Sequence, residues 1–289
     1  MWRKTVWALA VLACLVIPVA VQAQGDYLDI YVAKVKPEKV SQFEALAKKM
    51  ADANRASGDR WLTMVNLYGE GNKYVFVSPR HDYADVEKAE DVFYGALVKA
   101  FGKEGAEKME NEWNNCVASV HTELRKRRWD LSRKAPTGDD YAKYVGGSRF
   151  LRTTMVRVRP GRVADFEALL KDLKAAGEQN AETQPVFVSQ VMEGGHGTVF
   201  YLSALRSSLG GFDKNPTTRE ILGEDGYKKF LQMSADTIDE AGSEVYRYSA
   251  EMSSPPPAVA AAAPDFWQPK AAATPAKAKA KPAPAAPKN

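Results

Sequence analysis

Apolar and polar positions alternate from Asp29 to Lys36 and again from Phe150 to Arg159, the pattern of strands with one wetter face. After each run the period lengthens to that of a helix. Val40, Phe43, Leu46, Ala47 and Met50 share one face of a predicted helix opened by Pro37, and Val163, Phe166, Leu169, Leu170 and Leu173 share one face of a second opened by Pro160. Two strands about a tight connection come next: Trp61 to Tyr68 and Lys73 to Ser78 around Gly69–Asn72, then Val186 to Met192 and Thr198 to Ala204 around Glu193–Gly197. Gly and Asn there supply the positive φ that hairpins need. An amphipathic segment, Ala106 to Asn115 or Tyr227 to Ala241, then leads into a closing strand, Val117 to about Leu124 or Glu244 to Met252.

The two series align with each other. Val35–Leu46 matches Val158–Leu169 at an offset of 123 residues, and Phe101–Gly105 matches Leu222–Gly226 at 121. So long a period implies duplicated domains rather than a solenoid. The order β-α-β-β-α-β is the ferredoxin-like plan, whose sheet has helices on one face only. Two such units on one chain can bury their open faces against each other. The expected fold is therefore α+β, with tandem ferredoxin-like units at residues 24–131 and 149–252, a linker at 132–148, and an intrachain pseudo-dimeric α/β barrel.

This element order resembles the dimeric α/β-barrel group, in particular the antibiotic-biosynthesis-monooxygenase-like domains, over about residues 26–252. The resemblance implies a pocket between sheet and helices where oxidising members bind an aromatic substrate or haem, some without a bound metal. The candidate pocket residues are Trp61, Asn66 and Tyr68 on the second strand and His81 beyond the third. Alternation puts Asn66 and Tyr68 on one face, and Gln190 is read as the second-copy counterpart of Asn66.

Composition changes the picture mainly at the ends. Residues 1–23 combine Arg3 and Lys4, an apolar stretch and small residues at Val21 and Ala23, which reads as a signal peptide and an exported, periplasmic or extracellular protein. From Ser253 to Asn289 the chain is Ala, Pro and Lys with an apolar island at Phe266 and Trp267. That composition is expected to stay mobile as a solubilising tail, with weak contact to the cell envelope through its Lys residues and Phe266 and Trp267 as the alternative. The formal charge of +4 comes from these ends; the body between them is slightly acidic, which argues against nucleic acid as a partner. Arg125, Lys126, Arg127, Arg128 and Trp129 form a basic cluster expected at the surface, where it could meet an anion or the envelope.

Export would remove Cys14 and leave Cys116 without an intrachain disulfide partner. Its neighbours Trp113, Val117 and Val120 make it read as a small buried hydrophobe. His81, His121 and His196 show no metal-ligand spacing. No phosphate-binding glycine loop precedes a helix, and no nucleophile elbow occurs. With no catalytic constellation visible, the expectation is a non-catalytic exported protein that binds a small apolar or aromatic ligand or the envelope, as a monomer or homodimer. No cofactor is predicted, with haem not excluded by the resemblance. The alternatives are a small-molecule monooxygenase-like enzyme and a structural protein tethered by its basic tail.

Overall fold

The computed structural model describes residues 25–268. The leader expected at 1–23, and the tail beyond Gln268, lie outside the described residues. Eight strands form one closed antiparallel barrel: β1 (Tyr27–Val35), β2 (Trp61–Tyr68), β3 (Lys73–Arg80), β4 (Val117–Arg127), β5 (Phe150–Val158), β6 (Phe187–Glu193), β7 (Thr198–Arg206) and β8 (Ile238–Ser254). Their spatial order is β1-β3-β2-β8-β5-β7-β6-β4, and β4 pairs back to β1. Four strands from each half of the chain join at two seams, β2 with β8 and β4 with β6.

Strand alternation sends one set of side chains into the barrel and the other outward under helices. Outward-facing Ala33, Val35 and Tyr74 pack with Phe43, Leu46, Ala47 and Met50 of α1 (Val40–Ser57) and with Leu97 and Met109 of α2 (Tyr83–Cys116). Cys116 closes the same core and is fully buried, and burial pushes its thiol up. In the second half, Val156, Val158, Val188 and Phe200 pack with Phe166, Leu169 and Leu170 of α4 (Val163–Gln179). The predicted helical faces are thus the core faces. Pro37 opens a 3-10 turn into α1, whereas Pro160 stands in a turn with Gly161 at φ 79°, so α4 starts at Val163.

Both halves carry a helix broken at one glycine. Gly102 in α2 has φ 72° and ψ 167°, and Gly223 in α5 (Thr218–Thr237) has φ 69° and ψ 175°. No neighbouring atom crowds either position, so a Cβ there meets only the backbone penalty of a region open essentially to glycine. Gly102→Ala and Gly223→Ala are each expected to cost about 1–3 kcal/mol, and the double variant to cost their sum, as checked by urea unfolding. An effect near zero for both would mean that the helices straighten through the break.

Three expectations need correction. The linker at 132–148 contains a helix, α3 (Gly138–Gly147), with Tyr141, Ala142 and Val145 buried. The tail does not loosen at Ser253: β8 runs to Ser254, and α6 (Pro257–Ala262) and α7 (Pro264–Trp267) follow, with Val259, Ala260 and Trp267 buried. Composition argued that this segment has no core of its own; it borrows one. Gly146 of α3 lets α6 approach so closely that an added Cβ would lie 2.7 Å from the Val259 carbonyl oxygen. Finally, α5 ends at Thr237 and β8 begins at Ile238, so the segment read as helix to Ala241 is already strand.

Candidate functional site

Inward and outward side chains line two different cavities. The larger, about 600 Å³, lies between the outer face of the first-half strands and helices α1 and α2. Its walls are aromatic: Tyr31 of β1, Phe76 of β3, Trp61 of β2, and Phe93, Tyr94 and Trp113 of α2. Trp113 Nε1 donates to Tyr31 Oη at 3.0 Å, and the Trp113 ring lies 5.7 Å from that of Phe76. The rings stand edge-on or tilted to one another, 62° between Phe76 and Trp113 and 73° between Tyr31 and Phe76, and give the slot an aromatic wall suited to an aromatic ligand.

One end of the slot is ionic. Arg80 of β3 grips Asp59 with two bonds, Nη1 to Oδ1 at 2.6 Å and Nη2 to Oδ2 at 2.7 Å. Asp29 of β1 is held less tightly, by Arg80 Nε at 3.4 Å and Nη2 at 3.3 Å. Burial pushes the Asp29 carboxyl up, and the attraction of Arg80 only partly offsets this. A carboxylate of raised basicity beside an aromatic slot can accept a proton from a bound substrate. The second half lacks this set. By ladder register, Tyr27 lies opposite Arg80 and Phe150 opposite Arg206, which puts Arg152 where the first half has Asp29. Arg152 and Arg206 both lie over the Phe212 ring, at 5.3 and 5.6 Å.

The smaller cavity, about 330 Å³, is the lumen of the barrel. Its wall on β1, β2 and β3 is aliphatic apart from Lys34 and Lys73, with Ile30, Met64 and Val75 among its residues, while β4, β7 and β8 contribute charge and hydroxyls. Arg125 Nε donates to Glu123 Oε2 at 2.6 Å, His121 Nε2 lies 2.8 Å from Glu123 Oε1, and the Arg125 guanidinium stacks 3.3 Å over Tyr201. Lys73 Nζ and Tyr246 Oη both donate to Glu244 Oε2, at 2.7 and 2.6 Å. Burial alone would raise both carboxyls, yet the Arg125 charge with the His121 and Arg125 bonds holds Glu123, and the Lys73 and Tyr246 bonds hold Glu244, below the usual 4.5. A depressed folded-state value stabilises the fold above the unfolded value, and this stabilisation is lost as the pH falls through the folded value. The stability advantage of the wild type over Glu123→Gln/Glu244→Gln is therefore expected to be full above about pH 5 and to shrink on acidification, as read by urea unfolding at stepped pH. A difference independent of pH would contradict the pairing.

The candidates from sequence divide between these places. Trp61 faces outward into the aromatic slot, its Nε1 donating to the Met252 carbonyl at 2.9 Å. Asn66 faces the lumen side and donates from Nδ2 to Glu244 Oε1 at 3.3 Å. Tyr68 is 65% exposed at the strand end. His81 is exposed, and its backbone N–H donates to Asp85 Oδ2. Gln190 is not the counterpart of Asn66: it pairs with Phe200 as Val65 pairs with Tyr74, so it faces outward and accepts from Arg128 Nη1 at 2.9 Å. A slip of one residue reverses the face.

The basic cluster is not a surface patch either, because β4 runs on to Arg127 and alternation divides it. Arg125, Arg127 and Trp129 line the lumen, and Arg128 bonds Glu167 at 2.5 Å and Asp130 at 2.7 Å. Only Lys126 is exposed, with its ammonium 5.9 Å from the Tyr27 ring. Asp29, Asp59, Arg80, Glu123 and Glu244 were missed as site residues. Asp29 and Glu244 interrupt alternating strands, which is a weak signal; the others depend on contacts between elements distant in sequence.

A haem-type group needs an axial nitrogen, sulfur or oxygen ligand. No histidine lines the aromatic slot among the described residues, and the Tyr31 hydroxyl there already takes the Trp113 bond. Met50 and Tyr94 bring a thioether sulfur and a second phenolic oxygen into the same lining, so an axial ligand would have to come from them or from Tyr31. Among the described residues there is also no group of three or more His, Cys, Asp or Glu side chains placed to hold a metal, and no helix long and apolar enough to cross a membrane.

No protein-family model matches the chain, and no curated protein matches it. Solved structures do. A candidate monooxygenase from Fusobacterium nucleatum subsp. nucleatum is 11% identical, with 77% of this chain covering 91% of that one at a TM-score of 0.50. An anthrone oxidase-like protein is 12% identical, with 79% covering 94% and a TM-score of 0.49. A mutant chlorite dismutase from Candidatus Nitrospira defluvii is 10% identical, with 83% covering 97% and a TM-score of 0.45. The expectation of a non-catalytic binding or envelope-associated protein is contradicted: the Fusobacterium nucleatum structure is described as a monooxygenase, on the side of the enzyme alternative. At such identities the likeness is one of architecture: an α+β fold with an eight-stranded closed antiparallel barrel, as in the dimeric α/β-barrel proteins.

Proposed function

We propose that this chain is a small-molecule enzyme of the monooxygenase-like kind, formed from two ferredoxin-like units in tandem that act as a pseudo-dimer, with its active site in the aromatic slot of the first unit. The observation that supports this most is Asp29. It is a carboxylate of raised basicity, loosely held by an arginine already gripped by Asp59, at the end of an aromatic-walled cavity. The units share an element order and a glycine break, but only the first carries this group, as expected when one copy keeps the chemistry.

The substrate class that suits the slot is a planar aromatic with an acidic CH₂ between rings. Asp29 takes one proton from that carbon, and the rings of Tyr31, Phe76 and Trp113 hold the flat anion. Dioxygen is the oxidant: it adds to the carbanion, and loss of water leaves the ketone, so that CH₂ and O₂ become C=O and H₂O. Anthrone is the test compound. The full chain is expected to consume one O₂ per anthrone oxidised, and anthrone is expected to quench Trp61 and Trp113 emission saturably. Quenching without oxygen uptake would leave a binding site and remove the oxidase reading; neither signal would remove both.

A further inference from the structure

The lumen carries charge in matched pairs, with one exception. Lys34 meets Glu70 at 2.8 Å, Lys73 meets Glu244 at 2.7 Å, and Arg125 meets Glu123 at 2.6 Å. Arg127 is the remaining charged residue of the lining, and no described carboxylate pairs with it. Its Nε is buried without a hydrogen-bond acceptor, and its guanidinium lies 5.2 Å from the Trp129 ring centre and 5.1 Å from that of Tyr141. The rings offset part of the cost of desolvating the cation, but they accept none of its in-plane N–H bonds. A buried guanidinium N–H without an acceptor, as at Arg127 Nε, is costly unless something supplies one.

Along β4 the inward residues run His121, Glu123, Arg125, Arg127. The His121 side chain is half exposed, whereas Glu123 and Arg125 are 7% and 12% exposed. The barrel therefore opens at the His121 end and is closed at the Arg127 end by α3 and α6, through Tyr141 and Val259. Between mouth and closed end stands the aliphatic wall of Ile30, Met64 and Val75.

We propose that the lumen is a second binding site, separate from the aromatic slot, for a small organic carboxylate. Its two oxygens would take the paired N–H groups of Arg127 at the closed end, and its apolar body would lie along the aliphatic wall. The volume of about 330 Å³ admits a molecule of the size of benzoate or hexanoate.

The test is calorimetric titration of the full chain with benzoate, hexanoate, neutral benzamide and inorganic phosphate. The wild type is expected to bind the two organic carboxylates with one site, benzamide at least tenfold more weakly, and phosphate not at all. Arg127→Met keeps the volume without the charge and is expected to weaken carboxylate binding roughly 10- to 100-fold. Arg127→Lys keeps the charge but lacks the planar fork, and should fall between them. Asp29→Asn, in the other cavity, should leave this binding unchanged, so the lumen stands or falls independently of the proposed activity. Equal affinity for benzoate and benzamide, or unaltered binding in Arg127→Met, would overturn the proposal. Preference for phosphate would overturn the ligand class, and absence of binding by the wild type would overturn the site whether or not the variants fold.

Discussion

Asp29→Asn is expected to lower kcat for anthrone oxidation by about 10²- to 10⁴-fold while leaving KM within about threefold. Asparagine keeps the shape and can still face Arg80, but it accepts no proton. The wild-type rate should rise with pH through a value above the usual 3.8, since burial raises the carboxyl and the ionised form is the base. In the variant that limb of the profile should vanish. A structural role for Asp29 would act differently, lowering stability and quenching by ligand together with the rate. Retention of rate within threefold, or an unchanged acid limb, would assign the proton transfer to some other group.

Trp267→Ala is expected to lower the free energy of unfolding by about 3–5 kcal/mol. The indole is fully buried, 5.8 Å from the Tyr248 ring and 4.8 Å from that of Phe266, and its Nε1 donates to the Gly146 carbonyl at 2.8 Å. Alanine would lose the buried ring and orphan a carbonyl. Trp267→Phe keeps most of the apolar area and should cost about 1 kcal/mol for the hydrogen bond plus a smaller packing loss. Urea unfolding of the full chain separates the two. If Trp267→Ala cost less than 1 kcal/mol, the docking of the C-terminal segment onto α3 would be wrong.

The strands and core helices were legible because their signals are local. Phe43, Leu46 and Met50, or Phe166 and Leu169, repeat at helical spacing wherever they sit in the fold. The site was less legible because it depends on register. Asn66 and Gln190 looked alike in their strands, yet the ladders place Gln190 opposite Phe200 and turn it outward. The run from Arg125 to Trp129 looked like solvated charge, because nothing local marks that β4 continues through it and sends alternate residues inward. The pairing of Asp29 and Asp59 with Arg80 joins two strands and a loop. The C-terminal segment looked unfoldable by composition, and by itself it lacks the apolar area; the small residues that weakened the prediction are those that let α6 lie against Gly146.

Closure of all eight strands within one polypeptide has a consequence for dilute solution. A barrel assembled from two chains falls apart as concentration drops, because its second sheet is a ligand subject to mass action. Here β2 meets β8, and β4 meets β6, on a single covalent thread. Both cavities therefore keep their walls at any dilution, and among the described residues the closed barrel leaves no strand edge open to recruit another molecule.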